Sequence, residues 1–274
     1  MKVWLNDGLV DEADARVSVV DHGFTVGDGV FETFRTYGSR PFAVDRHLER
    51  LAASAAAMGL AVPPAAVVRE ALAAVVAANG AEDGALRVTV TSGPGPMGSG
   101  RGGGGPTLVV TTSPLPAWPA AAAVAVAPWP RNERAALAAV KTTSYAENVV
   151  ALAWARERGA EEALFVNLAG LLCEGTGSNL FVVVAGRLLT PPLSAGCLAG
   201  VTRAVVLESI GAIEGDLTVD DLVTADEAFL TSSTREVQAI GTVDGRPLPA
   251  APGPVTTAAA EAFAAAVASA LSRK

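Results

Sequence analysis

Lysine is almost missing from this 274-residue chain: of 20 basic residues only Lys2, Lys141 and Lys274 are lysines. Histidine and cysteine are as scarce. His22 and His47 are too few for a histidine-based metal centre, so no metal is expected. Cys173 and Cys197 have neither the spacing of a zinc site nor that of a redox pair, which points to a thiol-reducing compartment, the cytoplasm. Hydrophobic residues make up 50% of the chain. Even so, no run free of breakers and charges reaches the roughly 20 residues that a membrane span needs. The Ala-rich tail from Thr256 to Leu271 comes closest, and Glu261 interrupts it. Met1 to Gly8 lacks the apolar centre of a signal peptide. A net charge of −8 argues against nucleic acid as a partner.

The shortage of lysine singles out Lys141, the only one away from the termini. Arginine serves almost everywhere that a plain surface cation is wanted. It can neither form an imine nor shed its charge, whereas a lysine amine can do both. A lone lysine is ordinarily a leftover surface charge; the neighbours of this one suggest chemistry.

Short alternating runs at Lys2–Leu5 and Arg16–Val20 read as strands, with Asn6-Asp7-Gly8 as a hairpin turn. Val30–Tyr37 is a longer strand, and Gly38-Ser39-Arg40-Pro41 turns it into Phe42–Val44. Asp45 is placed to cap a helix through Met58, and Ala65–Ala78 reads as a second helix. Leu86–Thr91 and Thr107–Thr112 alternate as strands do. The glycine-dominated stretch Ser92–Gly105 between them reads as a mobile loop. The prolines of Ser113–Pro119 block helix and sheet and suit a linker. Beyond it come strands at Ala123–Ala127, Ala163–Asn167, Leu180–Val184, Leu188–Thr190, Glu227–Thr231 and Val237–Val243. Helices are expected at Tyr145–Arg158, Val201–Glu208 and Thr256–Leu271. The expected architecture is α/β in two unequal domains with the site between them. A small N-terminal domain covers 1–113, a linker 114–122, and a larger cofactor-binding domain 123–274.

Three segments look like a site for a phosphate and an imine. Val140-Lys141-Thr142-Thr143-Ser144-Tyr145 is an amine leaving an apolar stretch, followed by hydroxyls. In Cys173-Glu174-Gly175-Thr176-Gly177-Ser178-Asn179-Leu180-Phe181 a lone carboxylate precedes a Gly-Ser turn. Gly200-Val201-Thr202 opens a helix, whose free N–H groups favour an anion, and Thr231-Ser232-Ser233-Thr234 ends a strand in hydroxyls.

With these segments in this order, the chain resembles the fold-type IV enzymes that depend on pyridoxal 5′-phosphate (PLP). This class IV aminotransferase family includes D-amino-acid and branched-chain aminotransferases and aminodeoxychorismate lyases. The likeness runs from about Met1 to Ala266. It is strongest over Glu174–Arg203 and recurs in Gly-Asp-Gly-Val-Phe-Glu-Thr-Phe-Arg at 27–35 and His-Leu-Glu-Arg-Leu at 47–51. The resemblance implies a two-domain fold-type IV enzyme in which Lys141 carries PLP as a Schiff base and moves the substrate proton. Glu174 then pairs with the pyridine nitrogen. Arg50 grips the phosphate, with the backbone of Val201 and Thr202 and the hydroxyls of Ser232 and Ser233. Leu198 packs on the ring, and Tyr145 is a candidate partner for the cofactor's phenolic oxygen. The resemblance also implies a homodimer.

The implied reaction is transamination between an amino acid, of the D series or replaced by a primary amine, and a 2-keto acid. No subgroup fits cleanly. Met97-Gly98-Ser99 stands where D-amino-acid aminotransferases carry an Arg-x-His trap, and Ala85 precedes Leu86-Arg87 where branched-chain enzymes carry a tyrosine. Gly98-Ser99-Gly100-Arg101-Gly102 resembles a lyase loop, so pyruvate elimination from 4-amino-4-deoxychorismate is the alternative. A non-catalytic binder of PLP or another phosphate ligand is the remote one. For substrate binding Arg101 is the first candidate cation and Arg40 the second, with Phe31, Arg87 and Thr234 as further candidates.

Overall fold

Asn6, with φ of 52°, folds strand β1 (Lys2–Leu5) back on β2 (Gly8–Asp11) as the Asn-Asp-Gly turn requires. A computed structural model describes residues 1–80 and 82–272. It divides into two units: Met1–Pro116 with Val140–Tyr145, and Ala117–Ala139 with the chain from Ala146 on. Residues 140–145, expected in the larger domain, belong to the first unit.

In the first unit a short helix α1 (His22–Thr25) leads into β3 (Gly29–Tyr37) and β4 (Arg40–Pro41). Helices α2 (Val44–Ala57) and α3 (Ala65–Asn79) follow, then β5 (Gly84–Thr91) and β6 (Thr107–Pro114). The sheet runs β2-β1-β6-β5-β3-β4 with every pairing antiparallel. Side chains alternate across it. Val30 and Phe34 of β3, with Leu86, Val88 and Val90 of β5, meet Leu48, Leu51 and Ala55 of α2 and Val68, Leu72 and Val75 of α3 in one core. Phe31, Thr33 and Arg35 take the opposite face.

Two expectations fail here. Arg16–Val20 forms no strand: Val17 and Val19 are 46% and 79% exposed, and no sheet neighbour takes up their alternation. Phe42–Val44 is not a strand either. Ala43, at φ of 53°, turns the chain so that α2 starts at Val44, and Asp45 lies in its first turn rather than at its cap.

The second unit is built on β7 (Ala121–Val126), α4 (Ala146–Arg156), β8 (Glu162–Val166), β9 (Leu172–Gly175), β10 (Asn179–Val184) and β11 (Arg187–Thr190). It continues with α5 (Val201–Ile210), β12 (Ile213–Glu214), α6 (Val219–Val223), β13 (Glu227–Ser232), β14 (Glu236–Val243), β15 (Arg246–Pro247) and α7 (Pro254–Ser272). A nine-stranded mixed sheet runs β12-β11-β10-β13-β14-β7-β8-β9, with β15 beside β14.

Helix α7 is long and apolar enough, by length and composition, to cross a membrane. Its stripe of Thr256, Ala259, Phe263 and Val267 is buried, and the helix packs on α5 and β14. The buried Glu227 carboxylate accepts from its first-turn amides, Val255 N at 2.9 Å and Thr256 N at 2.8 Å. Cys173 and Cys197 are free and buried, and burial pushes both thiols up, Cys197 to about 12, which disfavours the reactive thiolate.

Candidate active site

Residues 141–144 lie along β3, joined to it by a single antiparallel bridge between Val30 and Thr142. Phe31 N donates to Lys141 O at 3.0 Å, Thr143 N to Gly29 O at 2.8 Å, and Thr142 Oγ1 to Gly29 O at 3.0 Å. Lys141 N donates to Ser54 Oγ of α2 at 3.2 Å. This docking requires a glycine at 29, where a Cβ would stand 2.8 Å from Val90 O and 2.9 Å from Thr143 Oγ1. The Gly-Asp-Gly sequence that leads into β3 and ends on its first residue thus seats the lysine segment.

The Lys141 amine lies 4.3 Å from the centroid of the Phe31 ring. The Arg87 guanidinium, from the next strand, lies 3.7 Å from the same ring, and Tyr145 meets it edge-on at 5.3 Å. Four of the residues expected from sequence therefore share one aromatic plate.

On the opposite face of β3, Glu32 is fully buried among charges. Its Oε1 accepts from Arg50 Nε, and its Oε2 from Arg50 Nη2 and His47 Nδ1, each at 2.7 Å. Burial pushes the Glu32 carboxyl up, and the hydrogen bonds from Arg50 and His47 more than reverse this, holding it at about 2. Burial lowers His47 from its ordinary value, and its Nδ1–H donates to the Glu32 carboxylate. Ser54 lies one turn beyond Arg50 on α2, so a single helix face carries both Arg50 and the anchor of the Lys141 backbone.

Glu32 and His47 are absent from the sequence-derived site. The signal was present: a glutamate at an inward position of a strand, opposite His-x-x-Arg at helical spacing. Ionised Glu32 stabilises the fold at every pH above its ordinary value of 4.5. Because its folded-state value is depressed, that contribution, about 3 kcal/mol, is lost as pH falls from about 4.5 toward 2. Urea unfolding at pH 7 and pH 3 should therefore show a smaller acid-induced loss in Glu32→Gln than in the wild type. Equal losses would place the acid sensitivity elsewhere.

In the second unit β9 brings Glu174 to the start of its turn. Leu198 N donates to Glu174 Oε2 at 2.9 Å, and Arg131 Nη2 lies 3.6 Å from Oε1. Arg131 rests on the Phe165 ring, 4.2 Å from its centroid. It too escaped sequence analysis, because nothing in its own segment marks it. Asn179 Nδ2 donates to Leu198 O at 2.8 Å and so fixes the loop that leads into α5. That helix begins at Val201 after Gly200, which has no side chain to cap the first-turn N–H groups. Ser232 and Ser233 stand at the β13–β14 turn. Thr231 Oγ1 is buried without a hydrogen-bond partner among the described residues.

Taken unit by unit, the chemistry of these groups fits parts of PLP, an aldehyde, a ring nitrogen and a phosphate. An amine and a clamped guanidinium occupy the first unit. A partly buried carboxylate, an uncapped helix N-terminus, serine hydroxyls and an unsatisfied hydroxyl occupy the second.

Two candidates are not brought to the Phe31 plate. Arg40 pairs with Tyr37 at the far end of β3, about 20 Å along the strand from Phe31. Arg101, expected to swing over a substrate, is spent on a latch. Its Nε and Nη2 bind the Asp28 carboxylate at 2.7 Å each, while Nη1 and Nη2 donate to Gly59 O at 2.5 Å and Met58 O at 2.9 Å. The glycine segment that carries it is correspondingly fastened: His22 N donates to Gly93 O at 3.0 Å, and the ring nitrogen of His22 meets Pro96 O at 2.8 Å. Gly93 has φ of +78°, and a Cβ there would lie 1.9 Å from Gly105 O. Close backbone crossing accounts for this glycine. Thr234 lies at the β13–β14 turn, where its carbonyl accepts from Trp118 Nε1 at 3.2 Å.

Residues 29–243 match the amino-transferase class IV family. A putative branched-chain-amino-acid aminotransferase of Methanocaldococcus jannaschii is 36% identical, covering 90% of this chain and 89% of its own. A D-alanine aminotransferase of Bacillus licheniformis is 31% identical over 93% of each. The crystal structure of a branched-chain aminotransferase from Thermoproteus uzoniensis with norvaline superposes with a TM-score of 0.90. It is 33% identical and covers 100% of this chain and 96% of its own.

Proposed function

The chain belongs to the class IV aminotransferases and depends on PLP, and we propose that its amino donors are aliphatic α-amino acids held through their carboxylate by Arg87. The observation that carries this reading is the Phe31 plate, with the Lys141 amine at 4.3 Å and the Arg87 guanidinium at 3.7 Å from one ring centroid. A substrate's α-carbon and carboxylate need an amine and a cation near one another, and these two are held by one ring. The relatives named for branched-chain amino acids and for D-alanine support an aliphatic side chain, and the latter supports the D hand. Both are aminotransferases, which does not favour the lyase alternative.

Arg50, aimed by Glu32, would hold the PLP phosphate with the Val201 and Thr202 amides and the Ser232 and Ser233 hydroxyls. Leu198 would pack on the ring, and Tyr145 would meet the phenolic oxygen. Bound PLP supplies an electron sink for the bond that breaks at the substrate Cα. Lys141 Nζ, once its amine is free, would act as the base that takes the proton from the substrate Cα. Glu174, kept in place by Leu198 N and Arg131, presents negative charge to the pyridine nitrogen. We place the enzyme in the cytoplasm as a homodimer; Val19 and Phe24, each 79% exposed, suit a buried subunit contact.

Arg87→Ala should raise the KM for amino acids about 10–100-fold, the scale of a lost charged hydrogen bond. It should spare an amine without a carboxylate, such as a 1-arylethylamine. A panel of D- and L-alanine and D- and L-leucine with 2-oxoglutarate tests donor and hand together. Equal losses on amino acids and plain amines would remove Arg87 from the carboxylate.

A further inference from the structure

The ladder between β10 and β13 ends at Asn179 opposite Thr231. Residues 174–178, which carry Glu174, and residues 232–235, which carry the serine hydroxyls, lie beyond its last rung; Glu174 and Gly175 pair with β8, and Ser232 pairs with β14. A side-chain tie joins the two segments to each other.

Glu162, at the start of β8, is 1% exposed. Its Oε1 accepts from Thr176 N at 3.0 Å and from Thr176 Oγ1, and its Oε2 accepts from Ser178 Oγ at 3.1 Å and Arg235 Nη2 at 3.2 Å. Arg235 is buried as well. Its Nη1 donates to Gln238 Oε1 at 2.5 Å, its backbone N donates to Ser232 Oγ at 3.1 Å, and its guanidinium lies 3.7 Å from the Trp118 ring centroid. Gln238 in turn donates to Pro119 O at 2.8 Å. Thus one carboxylate gathers the turn after Glu174, and one guanidinium joins that carboxylate to the serine turn.

A buried ion pair of this kind adds little to stability compared with a well-packed apolar pair, while its hydrogen bonds fix one geometry. We propose that Arg235 is a positioning residue for the cofactor. Through Glu162 it locks the Glu174 turn and the Ser232–Ser233 turn in one register, so that contacts at the pyridine end and the phosphate end of PLP are set together. The proposal rests on the assignment of Glu174 and the serines to PLP. Planar geometry is essential to it, because only a guanidinium reaches Glu162 and Gln238 at once while lying on Trp118.

The test is a PLP dissociation constant and an absorption spectrum of the purified holoenzyme for wild type, Arg235→Gln, Glu162→Gln, the double variant and Arg235→Lys. Each glutamine variant should weaken PLP binding about 10-fold or more and shift the cofactor band. The double should bind no more weakly than the weaker single, since both break one link. Arg235→Lys, which keeps the charge but not the second contact, should fall between. Wild-type affinity and spectrum in the single variants would overturn the proposal, as would losses that multiply in the double. So would a lower melting temperature with binding and spectrum unchanged. If Arg235→Gln does not fold, Glu162→Gln and Arg235→Lys decide by the same readings. A wild type that takes up no PLP would instead overturn the cofactor assignment beneath it.

Discussion

Lys141→Ala is expected to lower transamination by roughly 10³-fold or more, the scale of losing a positioned proton-transfer group, while the protein stays folded. The second half of this expectation follows from how the segment is held. Phe31 N binds Lys141 O, and Lys141 N binds Ser54 Oγ, both through the main chain, so truncating the side chain leaves them intact. Neighbouring Thr142 and Thr143 keep their own bonds to Gly29 and Gly27. PLP should remain bound through its phosphate, without the covalent link. Steady-state rates with and without an added primary amine, beside a melting curve, check this. More than a few per cent of wild-type rate without added amine would remove Lys141 from the chemistry.

Glu174→Gln is expected to leave the covalent link to Lys141 intact and to slow proton removal from the substrate Cα by roughly 10²–10³-fold, or about 3–4 kcal/mol. An amide keeps an oxygen for Leu198 N, which now donates to Oε2 at 2.9 Å, so the loop into α5 should hold its place. What disappears is the negative charge beside Arg131 and, by the present assignment, beside the pyridine nitrogen. The loss should therefore fall on the first half-reaction, followed in a single turnover with amino acid alone, with little change in PLP affinity. An unchanged single-turnover rate would move Glu174 off the cofactor nitrogen.

Much of this could be read in the chain before folding. The long strands β3, β5 and β6 announce themselves by alternation, and α2 by its stripe of Leu48, Leu51 and Ala55. Local pattern failed where burial is decided at a distance. Arg16–Val20 alternates, but nothing pairs with it. The four-residue strand β9 is invisible because Glu174 breaks its apolar run. Lys141 stood out by composition alone, yet its place in the first unit depends on Gly29, more than a hundred residues earlier in the chain. Arg101 sits in a glycine-rich segment whose composition alone suggests mobility. Its partners, Asp28 and the carbonyls ending α2, lie too far off in sequence for spacing to reveal them. Arg87 was legible as a strand arginine; its place on Phe31 shows only once β3 and β5 pair in register.

The central claim, that Lys141 carries the cofactor, can be read from one measurement on the holoenzyme. Reduction with borohydride, digestion and mass spectrometry identify the residue that bears the pyridoxyl group. With only Lys2, Lys141 and Lys274 in the chain, the answer is unambiguous. The group is expected on Lys141 alone; its absence there, or its presence on Lys2 or Lys274 in its place, would contradict the assignment.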